Sequence, residues 1–201
     1  MEVNPPFPFV FRGGFTYDKD RYLALIGLVG PGAWDEFVKV AKDVKDPFDS
    51  WTREIIDPWA AQYGGEVYYP FTGPPFHPFQ SWALKVGGVF PSPLGPLLDK
   101  VYGLWHSYRA AVVLPFTLDL PPAYIGPSPC DECSDKPCLK ACPSQVIKLG
   151  EPYNLKACLT TDACRNTGCL VRQACPIGRE YAYSPSQQRF HMRAFYNNFK
   201  L

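Results

Sequence analysis

From Tyr22 to Val29 every residue except Gly27 is apolar, a run with the length and composition of a buried strand. Gly30-Pro31-Gly32 turns the chain. Trp34, Phe37, Val38 and Ala41 then follow helical spacing, with Asp35 and Glu36 in the first turn. Asp46-Pro47 breaks that helix. A second one starts near Asp49 or Ser50, with Trp51, Ile55 and Trp59 four apart; Pro58 is expected to kink it or end its first half, and Gly64-Gly65 to stop it. Residues 67–71 read as a strand, followed by a Pro-rich loop through Pro78 and a short helix over 79–85. Tyr108–Phe116 reads as a further, central strand. Leu120-Pro121-Pro122 opens a linker that runs to Pro129. Near the end, Ser184 as N-cap, Pro185 at N1 and Gln187 at N3 start a helix whose apolar face carries Phe190, Ala194 and Phe195. The pattern is α/β (α+β), with Gly13-Gly14 and Gly87-Gly88 read as turns.

Composition narrows the function classes. The chain has 201 residues, enough for one or two domains with a sizeable core. A formal net charge of +1 argues against a polyanionic partner, so no DNA is expected. No apolar stretch approaches the ~20 residues of a membrane span. The start, Met1-Glu2-Val3-Asn4-Pro5-Pro6, lacks the basic and apolar regions of a signal peptide, so a cytoplasmic location is expected. The 23 prolines shorten regular elements and stiffen loops, and 15% aromatic residues suggest a core or pocket.

All eight cysteines lie between residues 130 and 175. They form two runs, Cys130-x2-Cys133-x4-Cys138-x3-Cys142-Pro143 and Cys158-x5-Cys164-x4-Cys169-x5-Cys175-Pro176. The bacterial ferredoxin run is C-x2-C-x2-C-x3-C-P, whose fourth cysteine serves the other cluster. The first run keeps its opening and closing, with two extra residues, Asp135 and Lys136 or neighbours, between them. The second run has wider gaps throughout. Eight thiolates are what two 4Fe-4S clusters need. Three other readings stand beside this one: disulfides, rare in a reducing compartment; zinc, which favours two separated C-x2-C knuckles where only one exists; and plain buried thiols. Asp131 and Glu132, inside the first knuckle, would lower a cluster's potential by their charge. No GxGxxG or P-loop is present.

The cysteine segment resembles the ferredoxin-like module at the carboxyl end of epoxyqueuosine reductase and related corrinoid reductive enzymes. That resemblance implies two 4Fe-4S clusters, one on Cys130, Cys133, Cys138 and Cys175, the other on Cys142, Cys158, Cys164 and Cys169. The earlier part is similar to CblC-type cobalamin-processing proteins, on Val89-Phe90-Pro91-Ser92-Pro93 and on Tyr102-Gly103-Leu104-Trp105-His106-Ser107-Tyr108-Arg109 through Pro115. Asp46-Pro47-Phe48-Asp49-Ser50-Trp51 and Tyr68-Tyr69 fit more loosely. The implied order is a nitroreductase-like sheet-and-helix pocket domain over 1–124, a two-cluster ferredoxin-like domain over 125–183, and a C-terminal helix over 184–201.

The resulting expectation is a redox protein that passes electrons to a cofactor or substrate, with cobalamin or another corrinoid as candidate occupant. A partner protein would be the electron donor. Tyr69, Tyr102, Trp105, His106 and Arg109 are the candidate pocket residues, walled by Phe71 and Trp82, with aromatics stacking and Arg109 pairing an anion. Three have a structural alternative: Trp105 in the core, Arg109 in an internal ion pair, His106 as a packing residue. His77 lies in a stiff loop, His191 on the last helix. The rival classes are a non-enzymatic electron carrier and a corrinoid-delivery module.

Overall fold

A computed structural model describes residues 3–122, 124–151 and 153–199. The chain divides into two compact units, Met1–Gly88 with His106–Ile125, and Val89–Trp105 with Gly126–Leu201. The segment 89–105, which the sequence places in the pocket domain, is thus grouped with the cysteines. Among the described residues no helix is long and apolar enough to cross a membrane.

The first unit is a four-stranded antiparallel sheet, order β1-β2-β6-β3, with three helices. Its strands are β1 (Val10–Asp18), β2 (Arg21–Val29), β3 (Glu66–Tyr68) and β6 (His106–Leu114). The apolar run of β2 is buried from Tyr22 to Leu28, and β6 is buried from Ala110 to Leu114. β6 lies between β2 and β3, the central place its sequence predicts. It starts two residues earlier than expected and stops before Pro115, which cannot donate to a ladder.

Three expectations are corrected here. β1 goes unrecognised in the sequence because Gly13-Gly14 reads as a turn. These glycines carry a bulge instead: Gly13 has φ +94°, and a Cβ on Gly14 would meet the Leu23 carbonyl oxygen at 2.6 Å. In α1 (Gly32–Val40) the buried residues are Ala33 and Phe37, whereas Val38 is 53% exposed. In α2 (Pro47–Gln62) the helix starts at Pro47, whose ring pre-sets the first helical φ. Pro58 does not end it. That residue sits on the exposed side, and buried Trp59 and Ala60 hold the following turn to the core. α3 (Phe79–Val86) forms where expected and packs on β1, while α2 packs on β3 and β6.

Between β2 and β6 the register shifts: Ile26 pairs with Ala110, but Gly27 with Tyr108. Arg109 is therefore the extra residue of a bulge, which re-aims its side chain. Gly27 is required there, since a Cβ would meet the Ser107 carbonyl oxygen at 2.2 Å.

The second unit has a two-stranded ribbon, β4 (Val89–Phe90) and β5 (Leu98–Asp99), and short helices α4 (Pro129–Glu132), α5 (Pro137–Ala141), α6 (Leu155–Leu159) and α7 (Leu170–Ala174). The longer α8 (Pro185–Asn198) begins as the sequence predicts, with Ser184 Oγ accepting from the Gln187 amide at 3.3 Å.

Candidate metal centre

The short helices place cysteines at their ends. α4 stops at Cys133, α5 at Cys142, and α7 runs between Cys169 and Cys175. Proline explains the pattern twice over. Pro129 and Pro137 start α4 and α5 at their first turns. Pro143 and Pro176 push the preceding cysteine into extended backbone, so Cys142 (φ −77°, ψ 117°) and Cys175 (φ −62°, ψ 127°) leave their helices.

Cys130, Cys133, Cys138 and Cys175 all line one cavity of about 420 Å³. Three come from the first run and one from the end of the second. Pro91, Pro93 and Leu98 of the 89–105 segment form part of the same wall. Leu98, Leu104 and Cys175 make a buried apolar cluster with Cys130 and Ile177 against it. The segment docks backbone to backbone: a Cβ on Gly103 would meet the Ile177 carbonyl oxygen at 2.0 Å, and one on Gly178 the Tyr102 carbonyl carbon at 2.4 Å.

Cys142 instead packs with Val146, Ile147 and Val171, with Cys138, Cys158 and Cys169 against that cluster. The thiols influence one another along the same division. Burial pushes the Cys130 thiol up, and neighbouring Cys175, Cys138 and Cys133 add to it, opposed by the Lys136 ammonium. Cys175 is raised by burial and by Cys138 and Cys133. Cys138 is raised by burial and by Cys133. Cys158 is raised by burial and by Cys142 and Cys164, against a hydrogen bond from Tyr153. Cys169 donates to Cys164, which holds the Cys164 thiol below its ordinary value and pushes Cys169 up. Four thiols around one space cannot all ionise cheaply unless a cation sits among them. Among the described residues no group of three or more Cys, His, Asp or Glu side chains is drawn together as a site for a single metal ion.

Lys136, which the sequence reading leaves out of the site, borders it. Its Nζ donates to the carbonyls of Cys130 at 2.6 Å and Cys133 at 2.9 Å, and the residue lines the cavity. Tyr153 is left out too. It lines this cavity while its hydroxyl donates to Cys158 of the other set. Neither has a sequence signal beyond lying near a cysteine run.

The five pocket candidates fall in different surroundings. In the first unit, Arg109 Nη2 pairs with Asp49 Oδ1 at 2.5 Å, and Nε and Nη2 donate to Thr52 Oγ1 at 3.2 and 2.9 Å. Its guanidinium lies over the rings of Phe48 and Phe71. Tyr69 is buried, with its hydroxyl donating to Asp57 Oδ1 at 2.6 Å. Arg53 lies over the rings of Tyr69 and Phe71. His106 meets the Tyr108 ring edge-on at 5.7 Å. Trp82 packs with His77 and Tyr68. In the second unit, Trp105 is 1% exposed and meets the Tyr183 ring edge-on at 5.4 Å, with the Arg172 guanidinium over both rings. Arg172 Nε donates to the Leu104 carbonyl at 2.8 Å. Tyr102 meets Tyr181 edge-on at 4.7 Å, and His191 packs beside Tyr183.

No protein-family model and no curated protein matches the chain. Solved structures do. A B12-trafficking protein CblC of C. elegans, a homologue of human MMACHC, matches with TM-score 0.53 and 16% identity over 90% of this chain and 78% of that one. Epoxyqueuosine reductase in complex with an epoxyqueuosine-modified tRNA-Tyr stem loop matches with TM-score 0.52 and 16% identity over 84% of this chain. The Bacillus subtilis epoxyqueuosine reductase matches with TM-score 0.51 and 16% identity over 85%. The chain spans 52% of the length of both reductases. The likeness is one of fold: the chain is structurally similar to CblC and epoxyqueuosine reductase, the two groups its sequence resembles.

Proposed function

We propose that this chain is an iron–sulfur redox protein whose second unit holds two 4Fe-4S clusters on interleaved cysteine sets. Cys130, Cys133, Cys138 and Cys175 would bind one cluster, and Cys142, Cys158, Cys164 and Cys169 the other. The observation that carries this reading is the single cavity lined by three cysteines of the first run and the last cysteine of the second. Its ~420 Å³ suits a multi-atom cluster better than one ion, and the Cys-Pro endings follow the ferredoxin pattern. Bound clusters would supply one-electron transfer. The protein's share is burial of the thiols, their spacing around the cavity, and the backbone hydrogen bonds that fix them. A protein electron donor and a cytoplasmic setting go with this role.

The first unit would dock or serve the electron acceptor. The polar groups of Arg109 and Tyr69 are bonded to Asp49, Thr52 and Asp57, which favours packed structure there and thus an electron carrier. A second reading, a corrinoid-linked reductase or delivery module with Tyr69, Tyr102, Trp105, His106 and Arg109 at its pocket, is supported by the fold of a B12-trafficking neighbour.

The test is metal and sulfide analysis of anaerobically prepared protein, with its optical spectrum and a hydroxocobalamin titration. Roughly eight irons per chain, by cluster stoichiometry, and a broad visible shoulder bleached by dithionite are expected. Stoichiometric zinc without iron would overturn the proposal. A spectral shift of added cobalamin at micromolar concentration would select the second reading, and its absence the carrier.

A further inference from the structure

The first cysteine run exceeds the ferredoxin spacing by two residues between its second and third cysteines, and Lys136 sits in that interval. Its backbone is in the left-handed region, φ 39° and ψ 58°, an unfavourable place for a long side chain. That conformation starts α5 and returns the side chain over the knuckle. There the ammonium donates to the carbonyls of both Cys130 and Cys133, and Lys136 lines the same cavity as the four thiols. The other charged residues on this cavity do not share that arrangement. Lys148 and Glu151 form an exposed pair with each other at 3.2 Å, and Asp131 brings a negative charge. Away from the cavity, Arg179 Nε donates to the Cys175 carbonyl at 3.3 Å. In the second set, the contacts at Cys158 are neutral: the Tyr153 hydroxyl on its sulfur and the Tyr196 hydroxyl on its carbonyl at 3.4 Å.

We propose that the two-residue extension serves to seat Lys136 as a fixed cation at the first site, making Lys136 a positioning residue that raises that site's reduction potential. A positive charge held beside a thiolate-bound cluster favours its more negative, reduced state. The ammonium also offsets Asp131 on the same wall. The inference rests on the reading that these cysteines hold a cluster.

The experiment is a dithionite titration of the whole chain followed by electron paramagnetic resonance, for wild type, Lys136→Met and Lys136→Arg. The first site is identified as the signal lost in Cys175→Ala. Lys136→Met should shift that signal's midpoint to more negative potential, Lys136→Arg should restore it, and the second signal should stay in place as internal control. An unshifted midpoint in iron-replete Lys136→Met overturns the inference and leaves the cluster reading intact. If Lys136→Met loses first-site iron, Lys136→Gln, which keeps a donor without the charge, decides. A negative shift there supports the inference. Loss of iron, or an unshifted midpoint, reduces Lys136 to a structural tie. Wild-type protein without iron would fail the cluster reading itself.

Discussion

Arg109 Nη2 and Asp49 Oδ1 lie 2.5 Å apart, joining the central strand β6 to the first turn of α2. The side chains are 12% and 29% exposed, so the pair is partly shielded from water. The bulge at Arg109 turns the side chain toward α2, where Thr52 Oγ1 and the Phe48 carbonyl also accept from it.

Removing one member leaves the other shielded and unpaired. Arg109→Met should destabilise the protein by about 2 kcal/mol, below the range for a fully buried pair because Asp49 is partly exposed. Urea unfolding of the single and double variants with Asp49→Asn measures it. A double-mutant cycle with no coupling would contradict the structural role.

Tyr69 yields a pH dependence. Burial and its bond to Asp57 push the hydroxyl well above the ordinary tyrosine value. A raised folded pKa means its contribution is complete below the unfolded value of about 10 and is lost as pH rises beyond it. Tyr69→Phe should cost about 1 kcal/mol near neutrality and flatten the loss of stability above pH ~10. Melting curves from pH 7 to 11 measure both; an unchanged alkaline slope would count against this role.

The backbone crossing of Gly103 and Gly178 makes another prediction. Both have positive φ, and a Cβ on either meets backbone of the other segment. Gly103→Ala should lower the melting temperature, by at least the cost of about 1 kcal/mol for placing a side-chain residue in the left-handed region. It should also reduce first-site iron, because the 89–105 segment walls that cavity. Normal iron content with a lowered melting temperature would separate the fold from the site.

Much of this was legible in the sequence, for identifiable reasons. The unbroken apolar run of β2, the Pro-led start of α8 and the Cys-Pro endings each carry a local physical cause that context does not override. β1 was hidden because Gly13-Gly14 serves a bulge; α1 forms where its spacing puts it, but Val38 follows that spacing from an exposed position and so does not mark the buried face. The grouping of residues 89–105 with the cysteines depends on the long-range contact of Gly103 with Ile177, which leaves no periodic trace. The role of Lys136 depends on one left-handed backbone conformation.

The interleaving of the cysteine runs is tested most directly by Cys175→Ala, alongside Cys164→Ala, with iron counts and electron paramagnetic resonance of the reduced proteins. Cys175→Ala should lose about four irons per chain and the signal of the site formed by Cys130, Cys133 and Cys138. The signal that Cys164→Ala removes should remain. If Cys175→Ala and Cys164→Ala abolish the same signal and leave the other unchanged, Cys175 belongs with its own run and the account is contradicted.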